Sequence, residues 1–207
     1  MEMPVFALHT VLFPFASMRV RVFEPRYLAM LDDVPPEGPF VVVAIRQGQE
    51  VGGTYEPARV GVAVAIDVHE RGDDGAHHLR VAGRDRVALI APSSHDPYPV
   101  WHVEPYPDEG GAGTDDVEAA SRALEGYLRS TGDPVDPTLA IPHDPVAASY
   151  VLAAATPGLV PQHQMLLEIA SAGQRLVAVR SILRRETALV RALGAGVGGA
   201  GIDVSPN

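Results

Sequence analysis

VGVAVAIDVHERGDDGAHHLRVAGRDRVAL, residues 60–89, decides the fold class. Val60, Val62, Val64, Ile66 and Val68 alternate with smaller or polar residues, the period of a strand with one face buried. Leu79, Val81 and, beyond Gly83, Val87 and Leu89 form a second alternating segment. Between the two lies Arg71-Gly72-Asp73-Asp74-Gly75-Ala76, whose Asp-Gly step favours the positive φ of a tight hairpin, so the segments are expected to be antiparallel neighbours. Gly83 within the second segment predicts a bulge or bend of the kind that lets a small barrel turn a corner.

Outward from this hairpin the same texture holds through the first hundred residues. Val5, Phe6 and Leu8 mark an opening strand, and Met18, Val20 and Val22 alternate with Arg19 and Arg21. Phe40 to Ile45 is a continuous apolar run of strand length, suited to a position covered on both faces. One short helix is expected from Pro25 to Leu31, with proline at its first position and Glu24 before it. After Trp101 the run through Pro105, Pro107, Gly110, Gly111 and Gly113 reads as a linker.

Beyond the linker the period becomes helical. Thr114 is placed to cap a helix with Asp115, Asp116 and Glu118 in its first turn and Val117, Ala120, Leu124 and Tyr127 or Leu128 along one face. Asp144-Pro145 starts another that runs through Ala155 and is ended by Pro157-Gly158. A further helix begins near Pro161 with Met165, Leu166 and Ile169 on its stripe. The last, from Ala172 to Leu193, spaces Leu176, Val179, Leu183 and Val190 for one face. The chain is therefore α+β, with strands in residues 1–108 and helices in 114–193. The glycine-rich residues 194–207 carry too little side-chain surface to offset their ordering entropy and are expected to be a disordered tail.

Composition narrows the function. All 16 basic residues are arginine. Without lysine there is no phosphate-binding loop of the Walker type and no Ser-Lys peptidase dyad. Without cysteine there are no disulfides, thiolate metal sites or thiol nucleophiles. A net charge of -10 argues against a nucleic-acid partner, which calls for a basic surface. The cluster Arg180, Arg184, Arg185 and Arg191 reads as a solvated helix face. No basic leader opens the chain and no apolar run approaches the ~20 residues of a membrane span, so a cytoplasmic protein with no membrane association is expected.

The eight histidines form no metal motif, because adjacent His77 and His78 point to opposite faces of a strand. Ser93, Ser94 and His95 are neighbours in sequence without the turn that a hydrolase nucleophile needs. No catalytic residue, metal ligand or cofactor site is expected.

Pro4-Val5-Phe6-Ala7-Leu8, Thr10-Val11-Leu12-Phe13-Pro14 and, most specific, Val22-Phe23-Glu24-Pro25-Arg26-Tyr27 resemble the opening signature of Lon protease N-terminal domains. Val60 to Ala63, Asp74-Gly75, Leu79 with Gly83 and Arg86, and Pro97-Tyr98 follow in the order of that family. Gln164 to Glu168, Arg175-Leu176 and Leu183 to Glu186 extend the resemblance through the helical half. It departs at Phe15-Ala16-Ser17, where relatives often carry glycine.

The resemblance implies a PUA-like β-barrel followed by a C-terminal α-helical bundle. In full-length Lon proteases an ATPase module and a Ser-Lys peptidase follow this region, and this chain is expected to work without either. It also implies recognition of unfolded or damaged polypeptide, or of a protease partner, through apolar surface between barrel and bundle. Phe23, Glu24, Pro25, Arg26 and Tyr27 are then a structural signature, with Glu24 and Arg26 capping and bracing the short helix and Tyr27 packed inward. Val34, Pro35 and Pro36, with Tyr98 and Trp101 in the loop from Pro92 to Trp101, are the candidate protein-binding residues. RNA binding by a PUA-like module and small-ligand binding within the barrel are the alternatives.

Overall fold

The computed structural model of the chain describes residues 1–35, 39–133 and 140–197, the last four without their side chains. Seven strands come first: β1 (Glu2–Leu8), β2 (Ser17–Val22), β3 (Phe40–Gly48), β4 (Tyr55–Pro57), β5 (Val60–Arg71), β6 (His77–Ser94) and β7 (Val100–Pro105). Helix α1 (Pro25–Asp33) lies between β2 and β3. Four helices follow the strands: α2 (Thr114–Thr131), α3 (Pro145–Ala154), α4 (Val160–Glu168) and α5 (Ala172–Val197).

The strands form one mixed sheet in the order β1-β7-β6-β5-β3-β4, with β2 added on β6. Because β1 also pairs in parallel with β3, from Val5 opposite Val41 to Leu8 opposite Ala44, the pairings run in a circuit through β1, β7, β6, β5 and β3. The β5–β6 hairpin is antiparallel as the alternation predicts. Its turn is closed by Gly72 N–H to Ala76 O at 2.7 Å, with Gly75 at φ +78°. The run Phe40 to Ile45 is buried throughout, as expected of a strand covered on both faces.

Several local expectations need correction. β7 occupies residues read as loop and linker, so Trp101 sits on a strand and Pro92 belongs to β6. β4 had no pattern of its own. Gly83 does border an irregularity, as expected: the β5–β6 register shifts between the pairs Val62–Arg86 and Val64–Gly83, with the extra residue on β6. It also serves a close approach: a Cβ there would stand 2.3 Å from the carbonyl oxygen of Phe13. Gly113, not Thr114, is the N-cap of α2, and the Asp116 carboxylate accepts the Gly113 N–H at 3.1 Å. Asp144 does cap α3, accepting the Ala147 N–H at 2.8 Å. Helix α5 continues four residues past Leu193, and the remainder of the expected tail, 198–207, lies outside the described residues.

The helices bury their stripes against the sheet through a shared core. Phe13, Val60 and Val62 meet Leu124, Tyr150, Leu152, Leu166, Leu167, Leu176 and Val179 in one cluster. A second cluster, around Phe6, Tyr27, Met30, Phe40 and Val64, holds α1 to the other side of the sheet.

Phe15, at the departure from the family pattern, takes the conformation that glycine would supply. Its φ is +64°, its ring is 63% exposed, and it lies over Tyr150 with ring centroids 6.2 Å apart. A left-handed conformation costs a non-glycine residue about 1–2 kcal/mol. Phe15→Gly is expected to stabilise the fold by roughly 0.5–1 kcal/mol after the added chain entropy of glycine is counted. A lowered urea midpoint for this variant would show that the ring contact outweighs the strain.

Candidate functional site

A cleft of about 820 Å³ opens where α4 lies across the sheet. One wall is the end of β3 with the segment through Ala58 and Arg59, and the floor carries Leu89 of β6 and Trp101 of β7. The facing wall is the side of α4 that bears Val160, Pro161, Gln164, Met165 and Glu168. Helical spacing explains that wall. Positions 160, 164 and 168 recur at four-residue intervals on one side, while Leu166 and Leu167 turn into the core. Met165, expected on the buried stripe, is instead 46% exposed. The volume lies within the roughly 300–1,000 Å³ typical of ligand pockets.

Polar anchors set the position of α4. At its side, Gln164 Nε2 donates to the Val60 carbonyl at 2.9 Å and to Glu168 Oε1 at 2.8 Å. At its C-terminal end, Arg86 of β6 donates to the carbonyls of Leu167 at 2.7 Å and Ile169 at 2.8 Å. Arg175 of α5 reaches Leu166 O at 3.2 Å and Ile169 O at 2.6 Å. These carbonyls form the negative end of the helix, which suits the two cations.

Both guanidiniums also meet one carboxylate. Asp108 Oδ1 accepts from Arg86 at 3.1 Å and Arg175 at 2.7 Å, and the Tyr150 hydroxyl donates to Asp108 Oδ2 at 2.8 Å. The arginine side chains are 1% and 0% exposed. Burial raises the Tyr150 hydroxyl above the usual phenol range against the lowering effect of Arg175 and Arg86, so it stays a protonated donor. The network joins sheet, linker and three helices, and no local pattern announced it.

The signature Phe23 to Tyr27 lies elsewhere. Glu24 makes no cap with its side chain, contrary to expectation. Its carboxylate pairs with Arg26 at 3.0 Å and accepts the Gly52 N–H at 3.2 Å, while Arg26 donates to the Glu50 carbonyl at 3.0 Å. The pair braces the loop before β4 against α1. Tyr27 is packed inward as expected, edge-on to Phe6 at 4.4 Å. Burial raises its hydroxyl pKa, with Arg26 opposing. Phe23 stays 47% exposed beside Arg21, and Pro25 occupies the first turn of α1. Phe23, Glu24 and Tyr27 line a second, smaller cavity of about 270 Å³.

The candidate contact residues do not come together. Trp101 is half-buried in the cleft. Tyr98 and Val34 pack on the cluster beneath α1, the Tyr98 hydroxyl donating to Asp33 at 3.1 Å, and Pro35 is exposed beside them. Pro36 lies outside the described residues.

The histidine pair that does form is His69 with His77, ring nitrogens 2.9 Å apart across the β5–β6 hairpin. Burial lowers the His69 pKa, with His77 and Arg71 adding to the shift. Among the described residues no three His, Cys, Asp or Glu are grouped to hold a metal ion, and no helix is long and apolar enough to cross a membrane.

Comparison with known proteins agrees with this geometry. The crystal structure of a Lon N-terminal domain protein from Xanthomonas campestris superposes with a TM-score of 0.65 at 28% identity, covering 87% of this chain and 98% of that one. The N-terminal domain of a Lon protease from the Mycobacterium avium complex shares the fold, with a TM-score of 0.65, 18% identity, and coverage of 89% of this chain and 98% of its own. No curated protein matches the sequence. A sequence model for the substrate-binding domain of ATP-dependent protease La (LON) matches residues 2–185, and the chain belongs to that family.

Proposed function

We propose that this chain is a non-catalytic module that captures unfolded polypeptide, acting beside a separate ATP-dependent protease. The circuit of strand pairings is read as a PUA-like pseudo-barrel in residues 1–108 that carries a helical subdomain in 114–193. The observation that carries the proposal is the cleft between them. Its surface is apolar through Leu89, Trp101, Val160 and Met165, and its rim is charged through Arg46, Glu56, Arg59 and Glu168. Apolar surface rimmed by polar groups is the physical basis for taking up exposed hydrophobic segments.

Of the four candidate contact residues among the described residues, Trp101 is assigned to the polypeptide. Tyr98 and Val34 are assigned to packing beneath α1, and Pro35 is left without a contact. Met165 joins Trp101, since methionine adapts its shape to varied apolar side chains.

Trp101 is the sole tryptophan of the chain, so its emission reports on the cleft directly. Titration with a chemically unfolded, reduced and alkylated protein is expected to shift that emission saturably. Met165→Asp is expected to weaken the response about tenfold or more while leaving the unfolding midpoint little changed, because the side chain is exposed. A flat titration with wild type would remove the reading.

A further inference from the structure

The charges of the cleft do not all have partners. Arg46 is paired with Glu56 on the neighbouring strand, and Glu168 takes the Gln164 amide at 2.8 Å. Arg59, exposed on the same wall as Ala58, has no ion pair among the described residues. A cation left open beside an apolar surface, on a molecule of net charge -10, calls for an anion in the occupant. An internal apolar segment brings none, since its backbone is neutral.

We propose that the cleft selects the carboxyl terminus of an apolar polypeptide, with the terminal carboxylate on Arg59 and the last side chains on Trp101, Leu89 and Met165. The inference rests on the polypeptide-binding reading and makes it specific. A C-terminal leucine or valine carries a carboxylate and an apolar side chain on one Cα, which is the pairing of chemistries that this wall and floor present. Guanidinium and carboxylate form a charge-assisted, bidentate pair, and capture of a chain end by such a group is a recurring mode of peptide recognition. Glu168 on the facing wall repels a carboxylate and so favours the Arg59 side.

The test uses the full chain and three short acetylated peptides of one apolar sequence ending in Val-Leu: the free acid, the C-terminal amide, and an amide with an internal aspartate. Trp101 emission reads each affinity. The free acid is expected to bind about tenfold tighter than either amide, a preference that shrinks as salt is raised. Arg59→Gln is expected to bring the acid down to the level of the amide. Its unfolding midpoint should match wild type because the side chain is exposed.

Equal affinity of acid and amide in wild type overturns the inference while the polypeptide-binding reading stands. So does an aspartate amide as tight as the acid, which would point to a side-chain carboxylate, or a preference that survives Arg59→Gln. Failure of all three peptides, together with failure of the unfolded protein, removes both.

Discussion

Asp108→Ala is expected to destabilise the chain by about 3–5 kcal/mol, the cost of leaving a buried charge without its counter-ion. The carboxylate stands between two guanidiniums whose side chains are 1% and 0% exposed, at 3.1 and 2.7 Å, and it also accepts from Tyr150. Removing it leaves Arg86 and Arg175 like-charged, out of water and close to one another, with only neutral acceptors: backbone carbonyls and, for Arg175, the hydroxyls of Ser149 and Tyr150. A domain of this size is stable by roughly 5–15 kcal/mol, so the loss should be plain in urea denaturation. Asp108→Asn, which keeps an acceptor but not the charge, should fall between wild type and alanine. The consequence reaches function because both arginines also hold the C-terminal carbonyls of α4, the helix that walls the cleft. A weaker Trp101 response to unfolded polypeptide is therefore expected under conditions where the variant is still folded. A loss of stability under about 1 kcal/mol would show that water or relaxation replaces the carboxylate and that the network is not the fastening described.

This network marks the boundary of what the amino-acid sequence discloses. The strands β5 and β6 were legible because their alternation is local and their turn carries Asp74-Gly75, whose backbone does adopt positive φ at Gly75. Helix starts were legible where proline and a capping side chain coincide, as at Asp144-Pro145. The hydrogen-bonded pairs among Arg86, Asp108, Tyr150 and Arg175 are separated by 22 to 67 positions, and nothing in the neighbourhood of each residue says which of them will meet. Arg86 shares its strand with Arg80 and Arg84, and the sequence does not say which of the three is buried or what it meets.

The same limit explains the candidate site. Trp101 reads as a loop aromatic because the prolines on either side of it, at 97, 99 and 105, suppress a strand assignment, yet β7 needs only six residues and pairs with both β1 and β6. Proline at a strand's edge or end is tolerated where no ladder donor is required. Met165 reads as part of a stripe with Leu166 and Ile169 because period alone does not settle which side of a nine-residue helix faces in. Only the packing of Leu166 and Leu167 against Phe13 and Tyr150 decides that Met165 faces the cleft. Tyr98 and Val34, by contrast, have the apolar character of contact residues but are occupied in packing under α1.

Gly83→Val is expected to be nearly as damaging as loss of Asp108, for a steric reason. The segment Phe13 to Ala16 crosses β6 so closely that Phe15 N–H donates to the Gly83 carbonyl at 3.0 Å and Gly83 N–H donates to the Ala16 carbonyl at 2.8 Å. A Cβ at position 83 would meet the Phe13 carbonyl oxygen at 2.3 Å and its carbon at 3.1 Å. Both obstacles are backbone, so no side chain can swing aside and the whole crossing must lift. Phe13, 2% exposed, is the residue that this crossing delivers into the core shared by sheet and helices, near Tyr150 and edge-on to His163 at 5.9 Å. Displacing a buried phenylalanine costs about 3–5 kcal/mol, and the two hydrogen bonds of the crossing add to it. Reduced near-ultraviolet dichroism from the displaced aromatic packing, with a urea midpoint lowered in proportion, is the expected result. A midpoint that moves by less than the equivalent of about 1 kcal/mol would mean that the crossing can ride over a side chain, and that glycine at this strand position answers to something other than the approach of Phe13.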